Sequence, residues 1–164
     1  MPKVHIVGRM QLDENPRKRS ATPEDYASMA EGALKNGNDF YQAALTYGIH
    51  NPQRAVLGVA LTCNLVFATE LYLKALIYSS GRKPPYGHNL EALFRAIKDE
   101  ERDEVIASCL SHLRKGTVEE FWLSLHEIGN AFDVLRYSYE RVGYVLDYQF
   151  VLSLAEALHD LANR

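Results

Sequence analysis

Residues 55–78 constrain the fold most, because this stretch is apolar on nearly every side of a helix. Its only charged residues are Glu70 and Lys74. Such a helix is stable either in the middle of a helical bundle or inside a lipid bilayer. In a bilayer, Asn64, Glu70 and Lys74 would each cost kilocalories in the hydrocarbon, and no other stretch is typical of a membrane segment. The sequence therefore predicts a central helix, from about residue 52 to 79, that is buried by its neighbours.

Helix start signals and apolar residues at helical spacing occupy the rest of the chain from residue 22 onward. Thr22, Asn89 and Asp147 are each suited to cap a helix that begins just after them. No strand pattern competes with the helical one, and the short connections favour antiparallel neighbours. We therefore expect one all-α domain at residues 22–164, an up-and-down helical bundle of five to six helices.

One of these helices is predicted to run without a break from residue 117 to Gly143. It begins with a capping-box pattern, Thr117 followed by Glu120. Inward-facing apolar residues then continue at helical spacing: Phe121, Leu125, Ile128, Phe132, Leu135 and Tyr139.

Residues 1–21 differ from the predicted bundle. Val4, Ile6 and Val7 suit either a short strand or an arm packed on a partner, and the basic residues 17–19 follow Pro16 as in an exposed linker. Such a triplet is either solvated or in contact with nucleic acid. We expect a flexible or partner-packed N-terminal arm.

Net charge and cysteine usage limit the function classes. The formal net charge of −3 gives no broad basic field, which argues against duplex binding through many phosphate contacts, although a local basic patch remains compatible with it. Cys63 and Cys109 lie among apolar residues at helical spacing, so we expect reduced, buried thiols. With no secretory signal visible, a cytoplasmic location is expected.

Several familiar chemistries are missing from the sequence. There is no P-loop, no dinucleotide-binding glycine pattern, no zinc spacing of cysteines and no HExxH motif. The sequence therefore predicts neither a cofactor nor a metal.

Polar residues on apolar helices are the first site candidates. Glu70 and Lys74 are four residues apart, in the orientation that pairs favourably on a helix. Either they form an ordinary exposed ion pair or they need buried partners, for which Arg136 and Glu140 are the nearest charge-complementary residues. Arg136, beside Tyr137, is either a structural tie or an anion-binding and base-stacking group. We expect Glu70, Lys74, Arg136 and Glu140 to form one polar cluster.

His88 is the other candidate. It follows Gly87 at a predicted helix start, where it is either a structural, hydrogen-bonded histidine or an acid–base and phosphate-binding group.

The motifs ATELYLKAL at 68–76, GHNL at 87–90 and RYSYE at 136–140, together with Leu93-Phe94 and Ala131-Phe132, resemble HEPN proteins, the nucleotide-binding helical domains of higher eukaryotes and prokaryotes. The resemblance covers about residues 23–162. It implies a helical bundle, frequent homodimers, and roles in RNA cleavage, toxin–antitoxin pairs or nucleotide-linked defence.

HEPN ribonucleases typically carry an arginine, four to six further residues, and then a histidine. Arg136 has no histidine in that range, and Arg82 and His88 have the spacing only within a loop that contains Pro84 and Pro85. We therefore expect a homodimeric module that binds a nucleotide, RNA or a partner protein, such as a nucleotidyltransferase-like component of a two-component system. The alternative is a metal-independent endoribonuclease with His88 or Arg82 as catalytic candidates, so whether the chain is an enzyme stays open.

Overall fold

The computed structural model describes residues 21–50, 58–114, 116–136 and 146–164. These residues form seven helices and no strand, so the predicted all-α class is confirmed. Apart from residue 21, the predicted N-terminal arm lies outside the described residues. The helices are α1 (Pro23–His50), α2 (Gly58–Ser79), α3 (Leu90–Ala96), α4 (Asp99–Leu113), α5 (Val118–Glu127), α6 (Ala131–Arg136) and α7 (Tyr148–Ala162).

The predicted central helix is α2. It contacts α1, α3, α6 and α7, and Leu65, Tyr72 and Leu73 on it are completely buried. Residues 60–79 are long and apolar enough to cross a membrane, yet most of this stretch is buried inside the fold. Burial by neighbouring helices accounts for the apolar composition, and nothing in the described part of the chain points to a membrane protein.

Two pairs of neighbouring long helices, α1 with α2 and α4 with α7, run antiparallel. Ring contacts pair Tyr26 with Tyr78 and Phe40 with Phe67, so α1 and α2 run in opposite directions. Between α4 and α7, His112 Nδ1 lies 3.6 Å from Glu156 Oε2, and Glu104 pairs with Arg164, which follows α7. These contacts give α4 and α7 opposite directions as well.

The prediction of one unbroken helix from residue 117 to Gly143 is wrong. A turn at residues 128–130 separates α5 from α6, and residues 137–145 lie outside the described part. Within the turn, the backbone N–H of Gly129 donates to the carbonyl of His126 at 3.1 Å, and the carbonyl of Gly129 accepts from the N–H of Leu90 at 2.8 Å. The approach is close: a Cβ on Gly129 would lie 3.2 Å from the Asn89 side chain. The turn between α5 and α6 therefore supports the start of α3.

Gly37 marks a close approach of α1 to α2. A Cβ at this position would lie 2.9 Å and 3.0 Å from two ring carbons of Tyr72. That ring is fixed, because it contacts Tyr41 and His159 and its hydroxyl donates to Asn38 at 2.9 Å.

We expect Gly37→Ala to lower the free energy of unfolding by about 1–3 kcal/mol, since overpacking a fixed ring forces backbone shifts. The matched control is Gly32→Ala on the same helix, where a Cβ would meet nothing within 4 Å. That substitution should raise the free energy of unfolding by about 0.5–1 kcal/mol, because alanine is the better helix former. Urea denaturation measures both, and an equal gain in the two variants would contradict the close contact.

Candidate functional site

Glu70 is the one acidic or basic residue that is buried among the described residues, at 1% exposure. Its carboxylate accepts a hydrogen bond from Lys74 Nζ at 2.5 Å, and its two oxygens lie 2.9 Å and 3.0 Å from His88 Nδ1. A buried carboxylate without partners would cost several kilocalories per mole, and these two contacts offset that cost. Burial of Glu70 thus fixes the positions of one lysine and one histidine.

The contact with Glu70 also sets the chemistry of His88. A carboxylate only accepts hydrogen bonds, so the Nδ1 of His88 carries the proton that points at Glu70. Any ligand contact or proton transfer by His88 therefore involves its Nε2 atom. This is the arrangement by which a carboxylate orients an imidazole in acid–base sites.

The loop at residues 81–88 returns the chain from the end of α2 to Glu70. Gly87 has φ of 106°, a conformation that disfavours other residues, just before His88. Asn89 then caps α3 by accepting from the N–H of Ala92 at 2.8 Å, and its side-chain amide donates to Asn130 at 2.9 Å. The end of the loop is therefore held by α2 on one side and by the α5–α6 turn on the other.

A cleft of about 330 Å³ opens between this loop and the C-terminal part of α2; we call it the 81–88 cleft. Its lining combines three nitrogen-bearing side chains, two tyrosines and a rigid Pro-Pro segment. Tyr86 is fully exposed. Lysine and histidine donate to phosphate oxygens, and exposed tyrosine rings stack on bases. The lining residues are Lys74, Tyr78, Lys83, Pro84, Pro85, Tyr86, Gly87 and His88.

Three of the predicted site residues come together here. Glu70 and Lys74 form the ion pair that their spacing predicts, and His88 joins them. Arg82 lies in the same loop, but its Nε donates to Ser80 Oγ at 2.8 Å, and it does not line the cleft.

The remaining predicted site residues are Arg136, Tyr137 and Glu140. The side chain of Arg136, at the end of α6, lies outside the described residues, as do Tyr137 and Glu140. The four-membered cluster of Glu70, Lys74, Arg136 and Glu140 therefore stays a prediction.

Sequence reasoning missed the contact between His88 and Glu70, and it missed Tyr78, Lys83 and Tyr86 as lining residues. The signal that was available is the composition of the 81–88 loop, in which a lysine, a tyrosine and a histidine lie between two helices. Their convergence depends on the return path of the loop, which local patterns do not specify.

Among the described residues, neither a group of metal ligands nor a cysteine thiol lines this site. Within the described ranges, no three His, Cys, Asp or Glu side chains are grouped so as to hold a metal ion. Cys109 is completely buried, and burial raises the pKa of its thiol to about 12. It is a packing residue, in keeping with the expected buried thiol.

A family model described as HEPN domain matches residues 64–163. The matched stretch begins within α2, includes the 81–88 loop and ends one residue before the last residue of the chain, and it is more than half of the protein. The chain therefore belongs to the HEPN domain family, as the resemblance of its motifs indicates. Searches of curated proteins and of solved structures found no match.

We expect Glu70→Gln to lower the free energy of unfolding by about 2–3 kcal/mol, because the neutral amide loses two charge-assisted hydrogen bonds. The loss stays below the ~3–5 kcal/mol of a fully buried pair, since Lys74 and His88 keep 22% and 46% of their side chains exposed. As a control, Asp99→Asn removes an ion pair whose carboxylate is 84% exposed. That change should cost no more than about 1 kcal/mol. Equal losses in thermal or urea unfolding would contradict the structural role of Glu70.

Proposed function

We propose that this HEPN-domain protein binds a nucleotide or single-stranded RNA in the 81–88 cleft. The supporting observation is that buried Glu70 holds Lys74 and His88 at the wall of a cleft that Lys83, Tyr78 and Tyr86 also line. Phosphate oxygens would accept from the cationic side chains, and a base would stack on an exposed tyrosine ring.

The charge distribution favours a short single strand over a duplex. The chain as a whole carries −3, whereas Lys83 adds a positive charge to the cleft, and Lys74, whose charge Glu70 balances at 2.5 Å, adds N–H donors. A phosphate therefore meets attraction at the cleft and weak repulsion from the rest of the protein. Duplex binding needs a row of phosphate contacts, which the two lysines that line the cleft do not supply.

By analogy with the HEPN family, we further propose that the protein is a cytoplasmic homodimer. It would act with a partner protein such as a nucleotidyltransferase-like component of a toxin–antitoxin or defence system. The symmetric dimer is the commonest form of oligomer.

Fluorescence anisotropy with a labelled oligouridine tests the binding proposal. We expect Lys83→Ala to weaken binding about fivefold, through the loss of roughly 1 kcal/mol of phosphate contact. Tyr86→Ala should remove about 1–3 kcal/mol of stacking. Both residues lie outside the Glu70 hydrogen-bond network, so both variants should keep the wild-type stability.

The control for charge is Lys35→Ala, an exposed lysine on α1 that does not line the cleft. It should bind like the wild type. An absence of binding at low salt, or an equal loss in Lys35→Ala and Lys83→Ala, would contradict the proposal.

A second candidate function is metal-independent cleavage of RNA, which the Glu70–His88 contact favours. A histidine oriented by a carboxylate can remove the proton of a 2′-hydroxyl through its Nε2 atom. Incubation of the protein with the oligouridine in the presence of a metal chelator distinguishes RNA binding from metal-independent cleavage. Cleavage that is lost in His88→Ala supports the enzyme, whereas binding without cleavage by the wild type supports a binding module.

A further inference from the structure

Helix α5 carries exposed apolar side chains outside the 81–88 cleft. Four large hydrophobic side chains are exposed among the described residues, and two of them, Val118 and Leu123, belong to this helix. Leu123, at 63% exposure, borders a groove of about 410 Å³ between the end of α4, α5 and the start of α7. The apolar lining residues of this groove are Leu110, Leu113, Phe121, Leu123 and Phe150.

Carboxylates surround this apolar floor, and we call the site the acid-rimmed groove. Glu120, Glu127 and Asp147 line it, and no described lining residue is basic. Glu120 accepts from the backbone N–H of Thr117 at 2.8 Å, and Asp147 accepts from that of Phe150 at 3.1 Å. These contacts hold both carboxylates at helix starts, where negative charge is stabilised. The groove is therefore complementary to a segment with apolar and basic side chains.

The N-terminal 21 residues have this composition. They contain five Lys or Arg and two Asp or Glu, a formal charge of +3, which leaves −6 for residues 22–164. Apolar and basic residues alternate closely near their start. The residues concerned are Lys3, Val4, Ile6, Val7, Arg9, Met10 and Leu12.

The segment is also long enough. About twenty extended residues span roughly 66 Å, whereas a compact chain of 164 residues has a radius of gyration of about 15 Å and hence a diameter of roughly 40 Å. The groove is within reach of a segment that enters α1 at Pro23.

We propose that residues 1–21 dock in the acid-rimmed groove of the same chain. Val4, Ile6 and Val7 cover Leu123 and the apolar floor, and the basic residues of the segment face the carboxylate rim. The interaction buries apolar surface that is otherwise exposed and brings opposite charges together.

Hydrogen–deuterium exchange of the full-length protein, read by mass spectrometry over residues 2–12, tests the docking. We expect amide exchange there to be at least about tenfold slower than in a free peptide of residues 1–21. Leu123→Lys places a cation against the basic segment and should bring the exchange rate close to that of the peptide. Since Leu123 is exposed, the fold itself should be retained, which protection of α2 in the same experiment verifies.

The matched control is Met29→Lys, an exposed hydrophobic residue on α1 that does not line the groove. It should leave the protection of residues 2–12 unchanged. Peptide-like exchange in the wild type, or equal release by Met29→Lys and Leu123→Lys, would overturn the proposal. Protection that rises with protein concentration would also overturn it, by assigning the bound segment to a second copy of the chain.

Discussion

The buried carboxylate of Glu70 is the interaction on which the site depends. It lies on α2, the helix with the largest number of buried residues among those described. An ionised group there is stable only with close partners. Those partners are Lys74, one turn along the same helix, and His88, which arrives from a loop. Because buried Glu70 is stable only when it is paired, it determines the positions of Lys74 and His88.

The helices around α2 make this arrangement rigid. The α5–α6 turn accepts the N–H of Leu90 through Gly129 and receives the Asn89 amide at Asn130, so the start of α3 is fixed beside α2. On the outer side of α3, Glu91 accepts from Arg95 and contacts His126 of α5 at 2.8 Å. The hydrogen bonds from His126 and Arg95 lower the pKa of the Glu91 carboxyl. The ionised Glu91 therefore provides a second contact between α3 and α5. His88 is thus placed by three helices rather than by its loop alone.

Much of the fold could be predicted from the sequence, because its strongest signals are local. The all-round apolarity of residues 55–78 predicts a central helix, and the four-residue spacing of Glu70 and Lys74 predicts their pairing. The break after α5 was not predictable in this way, since the apolar spacing continues through residues 128–130. At the break, local turn bonds at Gly129 and Ala131 are joined by a hydrogen bond from the N–H of Leu90 to the carbonyl of Gly129, residues far apart in sequence. The contact of His88 with Glu70 was missed for the same reason, and the structure describes no side chain at Arg136, Tyr137 or Glu140 that would test the rest of the predicted cluster.

We propose that Glu70 organises a cleft that binds phosphate and base groups of RNA. Amide chemical shifts of the isotopically labelled protein, recorded during titration with an oligouridine, test this claim most directly. We expect the largest changes at Lys74, Tyr78 and residues 83–88, with α1 and α7 little affected. Changes concentrated elsewhere, such as around Leu123 on α5, or no changes at all in dilute salt, would contradict it.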